Sequence, residues 1–229
     1  MVIALFILLL LVVAFRALTS DGSGGASGSS QAGAVENGEQ AAGIPRIVQA
    51  LTVAEPHRGA PEYRRADWDH WVDEDGDCQD ARQEVLIAES RVTGTFTTNT
   101  MCRVAAGSWF DEYSGVILTN PADVEVDHFV PLENAHVSGG WAWSAERRRA
   151  YANDLSHPEH LIAVRDRVNQ SKGSKSPERW MPPRVEYRCD YAISWIAVKT
   201  RWALTVTAEE RGALLSMLEA CPPDRREGW

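Results

Sequence analysis

Two short segments of the chain carry side chains that are suited to phosphate chemistry. The first, DVEVDHFVPL, places Asp127 directly before His128. The second carries His160 nine residues ahead of Asn169. One strand can end at the acid–histidine pair, a second strand can carry His160, and a helix beginning near Arg165 can return Asn169 to the same point. The spacing therefore predicts a β-hairpin and a helix that gather these side chains at one site.

The residue types predict a metal-assisted hydrolytic centre. Breaking a phosphodiester bond requires a nucleophilic water, a base that deprotonates it, and positive charge on the phosphoryl oxygens. His128 has an imidazole whose ordinary pKa suits proton transfer near neutrality. Asp127 and Asn169 offer hard oxygen ligands, which favour Mg²⁺ or Mn²⁺ over a closed Zn²⁺ site, although Zn²⁺ stays open as a third choice.

Neighbouring residues have supporting roles in this interpretation. His160 can either join the metal or hydrogen-bond across the hairpin to fix the loop that holds His128. Arg165 and Lys172 lie about one helical turn on either side of Asn169, where they are placed to contact phosphate. The residues alone leave both roles of His160 open.

An α+β domain is needed to position these residues. Residues 91–118 are rich in Thr, Val, Phe and Trp and are broken by glycines, which is typical of short antiparallel strands. A helix is expected over about 80–89, because Asp80 and Gln83 resemble a helix-starting cap. After Pro131 we expect a loop that contains Ser138, Gly139 and Gly140 and leads to the next helix.

The second half of the domain is expected to be mainly helical. Ser144 can cap a helix that runs to Tyr151. The apolar pattern of residues 191–202 predicts a helix, and Thr207 with Glu210 predicts a capping box before another one. We expect the nine tryptophans to serve mainly in packing these elements together.

Composition limits the class of protein. The chain has 229 residues, of which 44% are hydrophobic, which is enough for one substantial core. Lys and Arg total 23 against 32 Asp and Glu, so bulk charge does not favour a protein that coats nucleic acid. Between residues 146 and 188, however, ten Lys or Arg face six acids, and the local charge is positive around the predicted site.

The amino-terminal segments predict export. Residues 2–15 are an apolar run of 14 residues closed by Arg16. That run is short for a membrane span, which needs about 20 residues, and is typical of a signal-peptide core. We expect residues 1–18 to be a signal peptide or an uncleaved membrane anchor, so that the protein is secreted or anchored at the cell surface. Residues 19–45 are rich in Gly, Ser and Ala and read as a flexible linker before a domain over residues 46–229.

Four cysteines in an exported chain indicate two disulfides rather than a reactive thiol. We favour Cys78 with Cys102 and Cys189 with Cys221, because each pairing closes a loop of moderate length and the second joins two predicted helices. A four-cysteine zinc site is the alternative. It is disfavoured because no pair has the close Cys-x-x-Cys spacing of such sites.

The central motif resembles the HNH endonuclease family, whose fold is a ββα-metal finger. The family pattern is an acid and a histidine, Val-Pro-Leu, a polar residue before a Leu-rich strand, and Asn-x-x-Lys-Gly. It falls on Asp127, His128, residues 130–132, His160 with Leu161, and Asn169 with Lys172 and Gly173. Further stretches, among them DGDCQDARQEVL, GSWFDEYSG and PERWMPP, are similar to exported HNH proteins of high-GC Gram-positive bacteria, and the similarity covers most of residues 62–221.

The resemblance implies roles for particular residues. It makes His128 the general base and Asp127 with Asn169 the metal ligands of an HNH nuclease domain. Many relatives have Asn where this chain has His160, so bracing and metal ligation both stay possible for that side chain. Arg82 recurs in the resemblance, and we expect it either to contact phosphate or to form a buried ion pair with Glu84 or a neighbour.

The sequence thus predicts a metal-dependent endonuclease that hydrolyses nucleic-acid phosphodiester bonds, with DNA as the expected partner and low sequence specificity. The first alternative is a non-catalytic, nuclease-derived module that binds nucleic acid or the cell surface. A second alternative is a calcium-dependent cell-envelope protein built around the acidic turn DEDGD at residues 73–77. That turn does not meet EF-hand spacing, and a solvated acidic turn is favoured.

Overall fold

The computed structural model describes residues 45–225 of the chain. The predicted signal peptide or anchor and all but the last residue of the predicted linker lie outside the described residues. Within residues 45–225, no helix is long and apolar enough to cross a membrane.

Helices and short antiparallel strands alternate along the chain, as expected of an α+β fold. The helices are α1 (Arg46–Gln49), α2 (Ala81–Ala88), α3 (Leu132–Val137), α4 (Ala145–Ala152), α5 (Asp166–Lys172), α6 (Arg188–Arg201) and α7 (Ala208–Glu219). The strands are β1 (Thr95–Phe96), β2 (Val104–Ala106), β3 (Trp109–Asp111), β4 (Val116–Leu118), β5 (Val124–His128) and β6 (Leu161–Arg165). They pair as three two-stranded antiparallel sheets, β1 with β2, β3 with β4 and β5 with β6.

The β5–β6 hairpin and α5 form the unit that the sequence predicted. His128 at the end of β5 pairs with Leu161 at the start of β6, so the acid–histidine pair lies at one end of the hairpin. Helix α5 follows β6 directly and packs against both strands. The long connection between the strands carries α3 and α4.

Burial on both faces fixes the register of this hairpin. Ile162 and Val164 of β6 face the main core, which is built around α6 and α7. The alternate residues Leu161 and Ala163 face a second cluster, to which α2, β2, β3 and β5 also contribute. Because successive strand residues point to opposite faces, a shift by one residue would exchange the two apolar sets, and register is strongly specified where faces are buried.

The helices follow the sequence prediction with two differences, one at a helix cap and one in the extent of the helices. Asp80 accepts a hydrogen bond from the Gln83 amide, and Ser144 accepts one from the Arg147 amide. Thr207 likewise accepts from the Glu210 amide. The Glu210 carboxylate, however, does not complete the capping box.

The Glu210 carboxylate turns into the core instead. It accepts a hydrogen bond of 2.6 Å from the Trp195 indole and lies 3.1 Å from the Lys199 ammonium. A buried cation needs a counter-charge more than the helix end needs a second cap bond, because an unpaired buried charge is costly.

The second difference is α3, which occupies the stretch that the sequence predicted to be a loop. Residues Leu132–Val137 form a helix directly after Pro131. Proline is well tolerated at this boundary, because its fixed φ suits the helix start and its missing N–H would have no helical partner there.

Both predicted disulfides are confirmed. Cys78 pairs with Cys102, and Cys189 pairs with Cys221, with Cα–Cα distances of 5.1 and 5.4 Å. The second bridge ties the start of α6 to the end of α7. All four cysteines are therefore in disulfides, and the alternative of a four-cysteine zinc site is wrong.

Candidate active site

A cavity of about 320 Å³ opens between the end of β5, the start of α3 and helix α5. Asp127, His128 and Asn169, three of the predicted site residues, line it. The structure thus brings the acid–histidine pair and the helix asparagine to one place. His160 lies outside this lining.

His128 presents one ring nitrogen as a proton acceptor. Its Nε2 lies 2.8 Å from the carbonyl oxygen of Ala152 at the end of α4. A carbonyl can only accept, so Nε2 carries the hydrogen and Nδ1 keeps its lone pair. Burial lowers the pKa of His128 well below its usual value, which keeps the imidazole neutral and able to accept a proton.

Asp127 is held in a buried ion pair. Its two oxygens lie 2.9 and 2.7 Å from the Lys172 ammonium, and the Tyr113 hydroxyl donates to it at 2.7 Å. Burial raises the pKa of Asp127 and lowers that of Lys172, while their mutual attraction opposes both shifts. A carboxylate has about four acceptor positions, so these three contacts leave one on Oδ1.

Asn169 is oriented by a carboxylate of β5. Its amide nitrogen donates to Glu125 at 2.8 Å, and Gln170 donates to the same carboxylate at 3.0 Å. With the nitrogen committed, the amide oxygen of Asn169 is the atom left for another partner. It is a hard, neutral oxygen donor in the cavity that Asp127 also lines.

His160 is fully engaged away from the cavity. Its Nε2 donates to the Tyr151 carbonyl at 2.7 Å, and the Arg201 guanidinium donates to its Nδ1 at 3.2 Å. The two histidines therefore bind consecutive carbonyls, of Tyr151 and Ala152, at the last turn of α4. Burial lowers the pKa of His160 to about 4, so this side chain is neutral at neutral pH.

The three cations predicted to contact phosphate lie elsewhere. Lys172 is fully buried, because its charge pairs with Asp127. Arg82 donates to the Val124 carbonyl at 3.1 Å, at the start of β5, and forms no ion pair with Glu84 within residues 45–225. Arg165 is the residue before α5 and does not line the cavity.

The sequence prediction missed several residues of the cavity wall. Two of them belong to residues 53–72, which we term the strap. Tyr63 and Arg65 line the cavity, and the Trp71 ring packs against His128 with ring centroids 5.2 Å apart. The strap has no regular periodicity that would place it. Its only signal is the concentration of basic and aromatic residues in EYRRADWDHW.

The acidic turn behaves as a self-contained loop. The carboxylate oxygens of Asp73, Asp75 and Asp77 lie within 4.8 Å of one another and are exposed. Asp73 accepts backbone hydrogen bonds from Gly76 and Cys78, which explains the clustering without a ligand.

Comparison with known proteins identifies the family of the domain. Residues 80–217, more than half of the chain, match the family described as GmrSD restriction endonucleases, C-terminal domain. The chain therefore belongs to that family. It is also 43% identical over 176 residues to an uncharacterized secreted protein of Arthroderma benhamiae, covering 76% of this chain and 83% of that protein. No solved structure matches.

The comparisons narrow the resemblance seen in the sequence. They support a restriction-endonuclease-related domain, and they do not show the restriction to high-GC Gram-positive bacteria that the sequence suggested. The matched region contains every predicted residue from Asp127 to Lys172 and begins after the strap.

Proposed function

We propose that the protein is an exported, metal-dependent endonuclease that hydrolyses nucleic-acid phosphodiester bonds, with DNA as the substrate and low sequence specificity. The observation that carries the proposal is the Nδ1 of His128, which has no hydrogen-bond partner among residues 45–225 and belongs to a side chain that shares one cavity with Asp127 and Asn169. Family membership supports the reaction class. In this proposal β5, β6 and α5 are the ββα-metal unit.

His128 acts as the general base in this proposal. A water beside Nδ1 gives up its proton as it attacks phosphorus, and the imidazole becomes an imidazolium. The Ala152 carbonyl accepts from Nε2 throughout, so the ring keeps its orientation and the new positive charge meets a fixed dipole. In the described part of the chain no aspartate hydrogen-bonds to the His128 ring, and the neighbouring Asp127 pairs with Lys172 instead.

The donor set fits a hard divalent cation. Asp127 keeps an acceptor position on Oδ1 and Asn169 an amide oxygen, and oxygen ligands favour Mg²⁺ or Mn²⁺ over Zn²⁺. When bound there, the cation would supply positive charge for the phosphoryl and leaving oxygens. Lys172 already offsets the Asp127 charge, so we expect modest affinity with most coordination positions left to water and substrate.

His160 serves as a brace in this proposal. Both of its ring nitrogens are hydrogen-bonded, and its bond to Tyr151 fixes the same turn of α4 that orients His128. A metal ligand would need one free nitrogen. His160→Asn should therefore keep Mn²⁺ affinity near the wild-type value, whereas Asp127→Ala should weaken it severely. A Mn²⁺ titration in which both variants lose affinity equally would make His160 a ligand.

The low pKa of His160 predicts acid sensitivity. Its folded pKa of about 4 lies below the unfolded value of about 6.5, so its stabilising contribution is complete above pH 6.5 and is lost as the pH falls towards 4. The shift corresponds to about 3 kcal/mol of unfolding free energy. Urea unfolding between those pH values should show a shallower pH dependence for His160→Asn than for wild type. The same pH dependence of the unfolding free energy in both proteins would contradict a buried, neutral His160.

Export is supported by the relative and the disulfides. The Arthroderma benhamiae protein is described as secreted, and two disulfides suit an oxidising compartment. We propose that residues 1–18 direct secretion or, if uncleaved, provide the protein's contact with the membrane.

Supercoiled plasmid nicking tests the proposed function. The protein, stripped with EDTA, should be inactive and should recover with Mg²⁺ or Mn²⁺, with Zn²⁺ as the third cation tested. Nicked and linear DNA should appear without a preferred cutting site. DNA binding without cleavage under all three metals would indicate the non-catalytic binding module instead.

A further inference from the structure

The strap contributes the cavity's own positive charge. Among the described residues that line the cavity, Arg65 is the only Arg or Lys. The other basic residue nearby, Lys172, forms a buried ion pair with Asp127. Glu133 also lines the cavity and would repel an anionic substrate. A phosphodiester entering here thus meets one available cation.

Arg64 and Arg65 are consecutive residues that differ in their ion pairs. Arg64 binds Asp67 through two hydrogen bonds of 3.0 Å, made by Nε and Nη2. No carboxylate within residues 45–225 forms an ion pair with Arg65, whose side chain is exposed. The guanidinium of Arg64 is thus bound to Asp67 of the 3₁₀ turn Arg65–Asp67, whereas Arg65 lines the cavity.

Arg65 interacts with Tyr63, which lines the same cavity. Burial raises the pKa of Tyr63, whereas the positive charge of Arg65 and a hydrogen bond between the two side chains oppose that shift. Arg65 and His128 line the same cavity, so the guanidinium is placed to contact the strand whose phosphodiester His128 attacks.

The strap packs against α4, the helix whose last carbonyls are hydrogen-bonded to His128 and His160. Trp68 is fully buried and packs against Tyr151 with ring centroids 5.6 Å apart. The Asn153 side chain donates to the Asp69 carbonyl at 2.8 Å and accepts from the Val72 amide at 2.9 Å. Arg65 thus starts from a backbone anchored to α4, which lowers the entropy lost when it binds a ligand.

We propose that Arg65 is a phosphate-binding residue of this site, contacting a phosphodiester of the nucleic-acid strand that His128 and the metal cleave. The inference rests on the proposed function. A guanidinium suits the role because its planar fork can bind two phosphate oxygens at once. The contact comes from the strap, which lies before the family-matched residues 80–217.

A binding measurement tests the contact without requiring cleavage. Full-length wild-type protein, Arg65→Gln and Arg64→Gln are titrated with a fluorescent DNA duplex in EDTA over a range of salt concentrations. Arg65→Gln should weaken binding roughly tenfold and reduce the salt slope by about 0.9, as expected for one lost phosphate contact. Arg64→Gln, the matched control, should change both little. Equal effects of the two variants would overturn the proposal.

Cleavage distinguishes this proposal from the nuclease assignment. With Mg²⁺, Arg65→Gln should lower kcat/KM by about ten- to a hundredfold, and Arg65→Lys should recover part of it because the charge returns without the fork. If wild type cleaves and Arg65→Gln matches it, Arg65 has no phosphate role. If wild type never cleaves but the salt slope still depends on Arg65, the phosphate contact stands and the hydrolytic function fails.

Discussion

Replacing His128 is expected to slow DNA cleavage by roughly two to four orders of magnitude, because the attacking water loses its base. His128→Gln is the sharper variant, since its amide can still donate to the Ala152 carbonyl while offering no base of comparable strength. His128→Ala leaves that carbonyl unpaired, which costs about 1–3 kcal/mol of stability. Single-turnover cleavage at saturating Mg²⁺ measures the effect on the chemical step.

Thermal unfolding of the same variants provides the control for His128. His128→Gln should unfold close to the wild-type temperature, so that its slow cleavage reflects lost chemistry rather than lost structure. A folded His128→Gln variant that cleaves DNA at the wild-type rate would remove His128 from the mechanism.

The largest effect on stability is expected for Lys172→Met, which should reduce the unfolding free energy by about 3–5 kcal/mol. The substitution leaves the buried Asp127 carboxylate, only 5% exposed, without its counter-charge. The double variant Asp127→Asn/Lys172→Met should recover much of the loss, because it removes both charges together. Urea unfolding at neutral pH in the presence of EDTA measures the unfolding free energies of wild type and both variants.

Metal binding adds a second arm to the Lys172 prediction. With Lys172 absent, Mg²⁺ or Mn²⁺ becomes the available counter-charge for Asp127 and should stabilise Lys172→Met more than it stabilises wild type. A double variant as unstable as the single one would contradict the ion-pair account. Equal metal stabilisation of wild type and Lys172→Met would contradict the placement of the cation at Asp127.

The sequence predicted the site where local spacing determines geometry. Asp127 and His128 are consecutive in a strand whose apolar residues alternate, and α5 follows β6 without an intervening loop. The positions of Asp127, His128 and Asn169 around one cavity follow from that short-range order. The disulfides were predictable for a similar reason, because the four cysteines offer few sensible pairings.

Long-range partners were not predictable from the sequence. Lys172 looked like an exposed phosphate ligand because it is a basic residue at the end of a short helix, yet its four-carbon stem reaches back to Asp127 across the hairpin. Glu210 looked like a capping-box residue and is drawn to Lys199. In each case two buried, oppositely charged side chains pair because the fold brings them together, and their separation in the sequence does not predict that contact.

The strap was hidden for a different reason. Its backbone is irregular, and its position depends on single anchors such as the buried Trp68 and the contact between Val53 and Val206. Periodicity detects regular elements that bury one face, and the strap is not such an element. Its contribution to the cavity becomes visible only in the structure.

Single-turnover cleavage of an end-labelled DNA duplex by wild type, His128→Gln, Asn169→Ala and the double variant tests the central claim most directly. The account predicts metal-dependent cleavage by wild type and a large loss in each single variant. The double variant should lose little more than the slower single variant, because residues that act as one unit are not additive. Cleavage by the folded double variant at the wild-type rate would contradict the claim that this cavity is the catalytic centre.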